Sequence, residues 1–113
     1  MSTAMVDVAA LDDLAPGEAV RVELDDVPIC LVRVDGTVHA VHDTCTHAEA
    51  SLSEGWVEVD TIECPKHGAA FSLETGEALT PPATLPLPIF RVEVCDGRVL
   101  VDPTPSLPHP LLD

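Results

Sequence analysis

The chain has 113 residues and sets 20 acidic against 5 basic side chains, a formal charge of −15. That excess of acid argues against nucleic acid and anionic lipid as partners, since both would repel it, and favours basic protein patches at short range. Apolar residues make up 46% of the chain but aromatics only 3%, so a single domain of this length has to build its core from Val, Leu, Ile and Ala, which favours sheet.

Met5 to Ala9 reads as a first short strand, and Ala10 to Glu18 as a turn with Leu11 and Leu14 packing inward and Pro16-Gly17 ending it. Ala19 to Leu24 alternates, with Val20, Val22 and Leu24 on one side and Arg21 and Glu23 on the other, the pattern of a half-buried strand. Asp25-Asp26 makes a turn into the more continuously apolar Val27 to Val34, and Asp35-Gly36 supplies the tight hairpin into Thr37 to Val41. From Asp43 to Leu52 the alternation vanishes and small residues dominate, as in a loop carried by rigid strands. Trp56 to Val59 and Thr61 to Glu63 can pair around Asp60. Ala69 to Leu73 is the next strand, followed by the turn Glu74-Thr75-Gly76-Glu77.

Thr80 to Pro88 contains Pro81, Pro82, Pro86 and Pro88, which forbid a central strand and allow a stiff extended arm. Ile89 to Cys95, Asp96-Gly97 and Arg98 to Val101 form a final hairpin. The domain is expected to span residues 1–102, with 103–113 a proline-rich tail, extended and loosely packed or partly disordered. No segment shows a sustained 3.6-residue apolar stripe, so the expected architecture is all-β, an antiparallel sandwich with a small loop subdomain inserted between two of its hairpins.

No positively charged leader of the secretory kind is visible, because Arg21 is the first basic residue and Asp7, Asp12, Asp13 and Glu18 precede it. No run approaches the roughly 18 apolar residues of a membrane helix. A soluble, cytoplasmic, monomeric protein with no membrane partner is the expectation.

The chemistry-bearing residues lie in one stretch. Cys45-Thr46-His47 is followed after sixteen residues by Cys64-Pro65-Lys66-His67, two mixed pairs of one thiolate and one imidazole each. Such ligands suit iron or zinc. Structural zinc sites usually pair like with like, whereas a Rieske 2Fe-2S centre puts two Cys on one iron and two His on the other, so that two similar loops each contribute one of each. A zinc-stabilised interaction module remains the alternative from spacing alone.

On Cys45, His47, Cys64, His67 and the following Gly68, the chain resembles the Rieske-type ferredoxins of bacterial aromatic-ring-hydroxylating dioxygenases, over nearly its whole length. The resemblance implies a Rieske-type antiparallel sandwich whose cluster-binding loops lie at about 43–52 and 63–72, and one 2Fe-2S cluster held by Cys45, His47, Cys64 and His67. It also implies an electron carrier rather than an enzyme, with a flavin-containing ferredoxin reductase and a terminal Rieske non-haem iron oxygenase as partners. A small subunit of nitrite reductase or of another oxidoreductase shares the same motif. The family's proline-containing third loop, which packs over the cluster, would fall at Pro81, Pro82 and Ala83. Where the respiratory branch carries a loop-joining disulfide and a Ser donor, this chain has Ala50, Lys66 and Ala69, which implies a potential near the low end of the Rieske range.

No facial triad for oxygen activation and no Gly-rich nucleotide loop is present. Cys30 and Cys95 are expected as buried small hydrophobes rather than a disulfide. His39 and His42 are expected in structural roles, and His109 has no assignable one.

Overall fold

The computed structural model describes residues 5–34, 36–46, 50–66, 68–80 and 85–106. In chain order the strands are β1 (Val6–Ala10), β2 (Ala19–Leu24), β3 (Val27–Val34), β4 (Thr37–His42), β5 (Trp56–Glu58), β6 (Thr61–Glu63), β7 (Ala70–Ser72), β8 (Ile89–Phe90), β9 (Val92–Cys95) and β10 (Arg98–Val101). Single 3-10 turns at Leu11–Asp13 and Leu52–Glu54 are the only helical pieces among the described residues. No helix there is long and apolar enough to cross a membrane.

The strands form three antiparallel sheets, ordered β1-β10-β9, β2-β3-β4-β8 and β5-β6-β7. Local chemistry sets the hairpins. Asp25 and Asp26 both take positive φ (52° and 66°), as does Asp96 (50°) before Gly97, conformations that Asp and Gly accept more readily than other residues in two-residue turns. Pro28 sits in β3 just before its pairing with β4 begins, where its missing N–H costs no bond to that strand, and its carbonyl accepts the Asp43 N–H at 2.9 Å.

The continuous apolar run of β3 has a physical reason: the strand is covered on both faces. Ile29 and Leu31 pack with Leu14, Leu24, Val38, Ala40, Phe90, Val99 and Val101 to fill the sandwich between the first two sheets. Cys30 and Val32 point the other way, joining Val41, Leu52, Ile62, Phe71, Leu73 and Leu87 beneath the third sheet. Each fully buried aliphatic side chain of this kind contributes roughly 1.5–3 kcal/mol. The inserted subdomain is the β5-β6-β7 sheet with its flanking loops, set between β4 and β8 in the chain.

Two expectations need correction. The run Ile89 to Cys95 is two strands, β8 pairing with β4 and β9 pairing with β10, and the chain crosses between sheets at Arg91, whose carbonyl accepts the Asp102 N–H at 3.0 Å. Cys95 is exposed rather than buried. It ends the edge strand β9 opposite Arg98 and shares a face with Glu93, whereas Val92 and Val94 lie opposite the buried Val101 and Val99. The alternation Val92-Glu93-Val94-Cys95 carries that signal in the sequence.

Cys30 is buried as expected, and burial raises its thiol pKa far above the ordinary range, which keeps it neutral. The described part of the tail is tied down: Ser106 exchanges hydrogen bonds with Ile89, its N–H donating to the Ile89 carbonyl and its Oγ accepting the Ile89 N–H.

Candidate metal centre

Two loops of the same design leave the inserted sheet and the end of β4. In the first, Thr44 pairs with Ser51 and the Cys45 N–H donates to the Ala50 carbonyl at 3.0 Å. In the second, Glu63 pairs with Ala70 and the Cys64 N–H donates to the Ala69 carbonyl at 2.7 Å. Each Cys is therefore the first residue inside an antiparallel pair, closed by a bond to the residue five positions on. The similarity predicted from the motif is a similarity of backbone.

Both thiols are buried, and that of Cys64 lies within hydrogen-bonding reach of Cys45. Burial pushes the Cys64 pKa up to about 11; the Lys66 N–H opposes the rise and the adjacent Cys45 adds to it. A buried thiol that resists ionisation, as Cys64 does, would be held as a thiolate by a cationic occupant such as iron, whose positive charge offsets the cost of burial. These residues fit the cysteine half of a Rieske site. His47 and His67 lie outside the described residues, as do Pro81, Pro82 and Ala83 of the expected third loop, and His109.

The first loop hangs from a buried carboxylate that the motif does not include. Asp43, only 1% exposed, accepts hydrogen bonds from Ser51 Oγ and from the Ser53 N–H (2.8 Å), and Arg21 of β2 approaches it at 3.9 Å. Its backbone also accepts from the Leu52 N–H at 2.7 Å. Asp43 therefore clamps both ends of the loop and joins it to β2 and β3. Gly55 makes the second loop's approach possible: a Cβ there would lie 1.9 Å from the Glu63 carbonyl oxygen, just before Cys64.

His42 is buried at the end of β4, its Nδ1 accepting the Thr44 N–H at 3.1 Å. His39 is half-buried; burial lowers its pKa, against the opposing pull of Glu74 and Asp60. Both have the structural character expected of them. Ala69 is fully buried and offers no hydroxyl, and all four cysteines are free thiols, so no disulfide joins the loops.

A model of the Rieske [2Fe-2S] domain matches residues 4–91. The chain belongs to the Rieske family. It is 44% identical over 102 residues to the ferredoxin CarAc of Metapseudomonas resinovorans, covering 89% of this chain and 95% of that protein. It is 46% identical over 91 residues to the 3-phenylpropionate/cinnamic acid dioxygenase ferredoxin subunit of Escherichia coli K12, covering 80% and 85%. Among solved structures, a chain in the complex of reduced oxygenase and oxidized ferredoxin of carbazole 1,9a-dioxygenase aligns with a TM-score of 0.87 at 42% identity, covering 95% of this chain and all of that one. A Mycobacterium tuberculosis protein described as an NADH-dependent nitrite reductase small subunit aligns less closely, at a TM-score of 0.80 and 31% identity over 89% of this chain and 96% of that one.

This Rieske protein is thus a ferredoxin of the aromatic dioxygenase type, an electron carrier rather than a catalyst, and it binds one 2Fe-2S cluster. Asp43 was not legible as the anchor of the first loop: one carboxylate among 20 acidic residues carries no motif, and its role depends on contacts made through the fold.

Proposed function

We propose that Cys45 and Cys64 hold one iron of the cluster and His47 and His67 the other, and that the protein passes single electrons from a flavin-containing reductase to the terminal oxygenase of an aromatic-ring-hydroxylating dioxygenase. The observation that carries the ligand assignment is the pair of matched loops whose cysteines lie in one buried core cluster. The bound cluster supplies a one-electron store, and the chain's residues set its energy and its access.

Two ferric ions and two sulfides carry +2, which two thiolates neutralise, so an electron enters a site of zero charge rather than the −2 of an all-thiolate cluster. That places Rieske potentials above plant-type ones. Within the Rieske range, the alanine at position 69, the missing disulfide and the net charge of −15 all disfavour the added electron. A midpoint of about −150 to −50 mV is expected, and a value above about +100 mV would contradict this reading.

On this reading the carrier is a cytoplasmic monomer that docks through its acidic surface onto basic patches of its partners. Mixing the purified chain with a candidate reductase and oxygenase tests the proposal: it should restore aromatic-substrate turnover, and the transfer rate should fall as salt rises. Failure with dioxygenase components but activity with a nitrite reductase would move the protein to the other partner class. A colourless protein holding one zinc would remove the redox role.

A further inference from the structure

Asp43 does more than hold a loop, because of where its charge lies. Its side chain is 2% exposed and stands two residues before Cys45, so roughly 7 Å of chain at most separates the two backbones. One carboxylate oxygen accepts from the Ser53 N–H at 2.8 Å and the other from Ser51 Oγ, which is itself 2.8 Å from Ser53 Oγ. Those donors are neutral. They orient a carboxylate without cancelling its charge.

A counter-charge reaches it from β2. The Arg21 guanidinium lies 3.9 Å from the Asp43 carboxylate, too far for a hydrogen bond, and makes its close contact with Glu23 at 2.9 Å instead. The Arg21 side chain is half exposed, so water screens what it offers Asp43. In the other direction lies the core that Cys30, Cys45 and Cys64 share. Burial and, after it, the Asp43 charge hold the Cys30 thiol neutral. The field of this carboxylate therefore reaches the core in which both proposed cysteine ligands are buried.

We propose that Asp43 sets the reduction potential of the cluster electrostatically, lowering it with a buried charge that Arg21 partly offsets. The proposal rests on the ligand assignment given above, which places an iron beside Cys45. Reduction adds one negative charge to the site, and a fixed anion that water does not screen opposes it more than an exposed carboxylate does. The midpoint then depends more on these two residues than on the count of acids over the rest of the surface.

Redox titration of charge variants of the holoprotein tests this. Asp43→Asn keeps an oxygen for the Ser53 N–H and removes the charge. At a fixed applied potential its reduced-to-oxidised ratio should rise roughly tenfold, as for a partly offset unit charge at an effective dielectric of about 20. Arg21→Gln removes the offset and should lower the ratio about two- to threefold, the size of a half-exposed ion pair, while Arg21→Lys should return it toward wild type. Glu93→Gln, at an exposed position on β9, loses the same formal charge as Asp43→Asn and should leave the ratio unchanged. The Asp43→Asn shift should persist at about 1 M salt, where the Debye length is roughly 3 Å.

Mere loosening of the loop would move Asp43→Asn and Arg21→Gln the same way, so shifts of one sign in both would overturn the proposal. So would an Asp43→Asn ratio equal to wild type, a Glu93→Gln shift of the same size, or a shift that vanishes in salt. If Asp43→Asn assembles no cluster, Arg21→Gln carries the comparison: a ratio that falls supports the proposal, and one that holds or rises overturns it. Failure of the ligand assignment has a different signature: the wild-type protein would itself lack the two-iron spectrum, and this proposal would fall with it.

Discussion

Cys30 and Leu31 are neighbours in β3 and face opposite cores, and the contrast between those cores runs through the whole molecule. The sandwich side is closed by aliphatic side chains of two sheets and by Phe90, with no cysteine among its buried members. The side beneath the inserted sheet includes Cys45 and Cys64 among its fully buried residues, so on the proposed ligand assignment part of its filling is a metal. A core of hydrocarbons is complete on folding, whereas a core built around paired thiols is complete only when its occupant arrives. The inserted sheet is also slight, with strands of three residues each.

Removing the iron should therefore separate the two sides, and this is the largest effect expected. After chelation, amide hydrogen exchange should lose most of its protection in β5, β6 and β7 while β2, β3 and β4 stay protected. Equal loss in all three sheets would show one cooperative unit and erase the contrast. In the sandwich, Leu31→Ala should cost about 2–5 kcal/mol of unfolding free energy, and the cluster spectrum of the folded fraction should not change.

At the seam between the two sides, Asp43→Ala should cost about 1–3 kcal/mol, since it strands the Ser53 N–H and takes one of two partners from the Ser51 hydroxyl. It should also speed cluster loss, which denaturant titration and chelator kinetics would record together. The smallest effect has the opposite sign. Val59, at the tip of the β5–β6 hairpin, takes φ +38° while 76% exposed, a conformation that a β-branched residue adopts only under strain. Val59→Asn should raise stability by roughly 0.5–1 kcal/mol, and a thermal shift in the other direction would show that this turn is not strained.

What the sequence disclosed divides along the same line. Strands and turns of the sandwich were legible because alternation and Asp-Gly or Asp-Asp turns are local signals, and the Rieske family was legible because mixed Cys/His pairs are rare. The sheet change at Arg91 was hidden, since Phe90, Val92 and Val94 stay in phase across it and no Gly or Pro marks the crossing. The exposure of Cys95 could have been read from its phase with Glu93. Asp43 was beyond reach, because its partners Ser51 and Ser53 stand 8 and 10 residues away in the chain and are brought near only by the fold.

The account depends most on one iron being held by thiolates and the other by imidazoles across two matched loops. A redox titration of His67→Cys against wild type tests this most directly. Exchanging an imidazole for a thiolate should add negative charge to the cluster, pulling the midpoint down toward the roughly −400 mV of all-thiolate clusters and altering the visible spectrum. An unchanged midpoint and spectrum in the variant would contradict it.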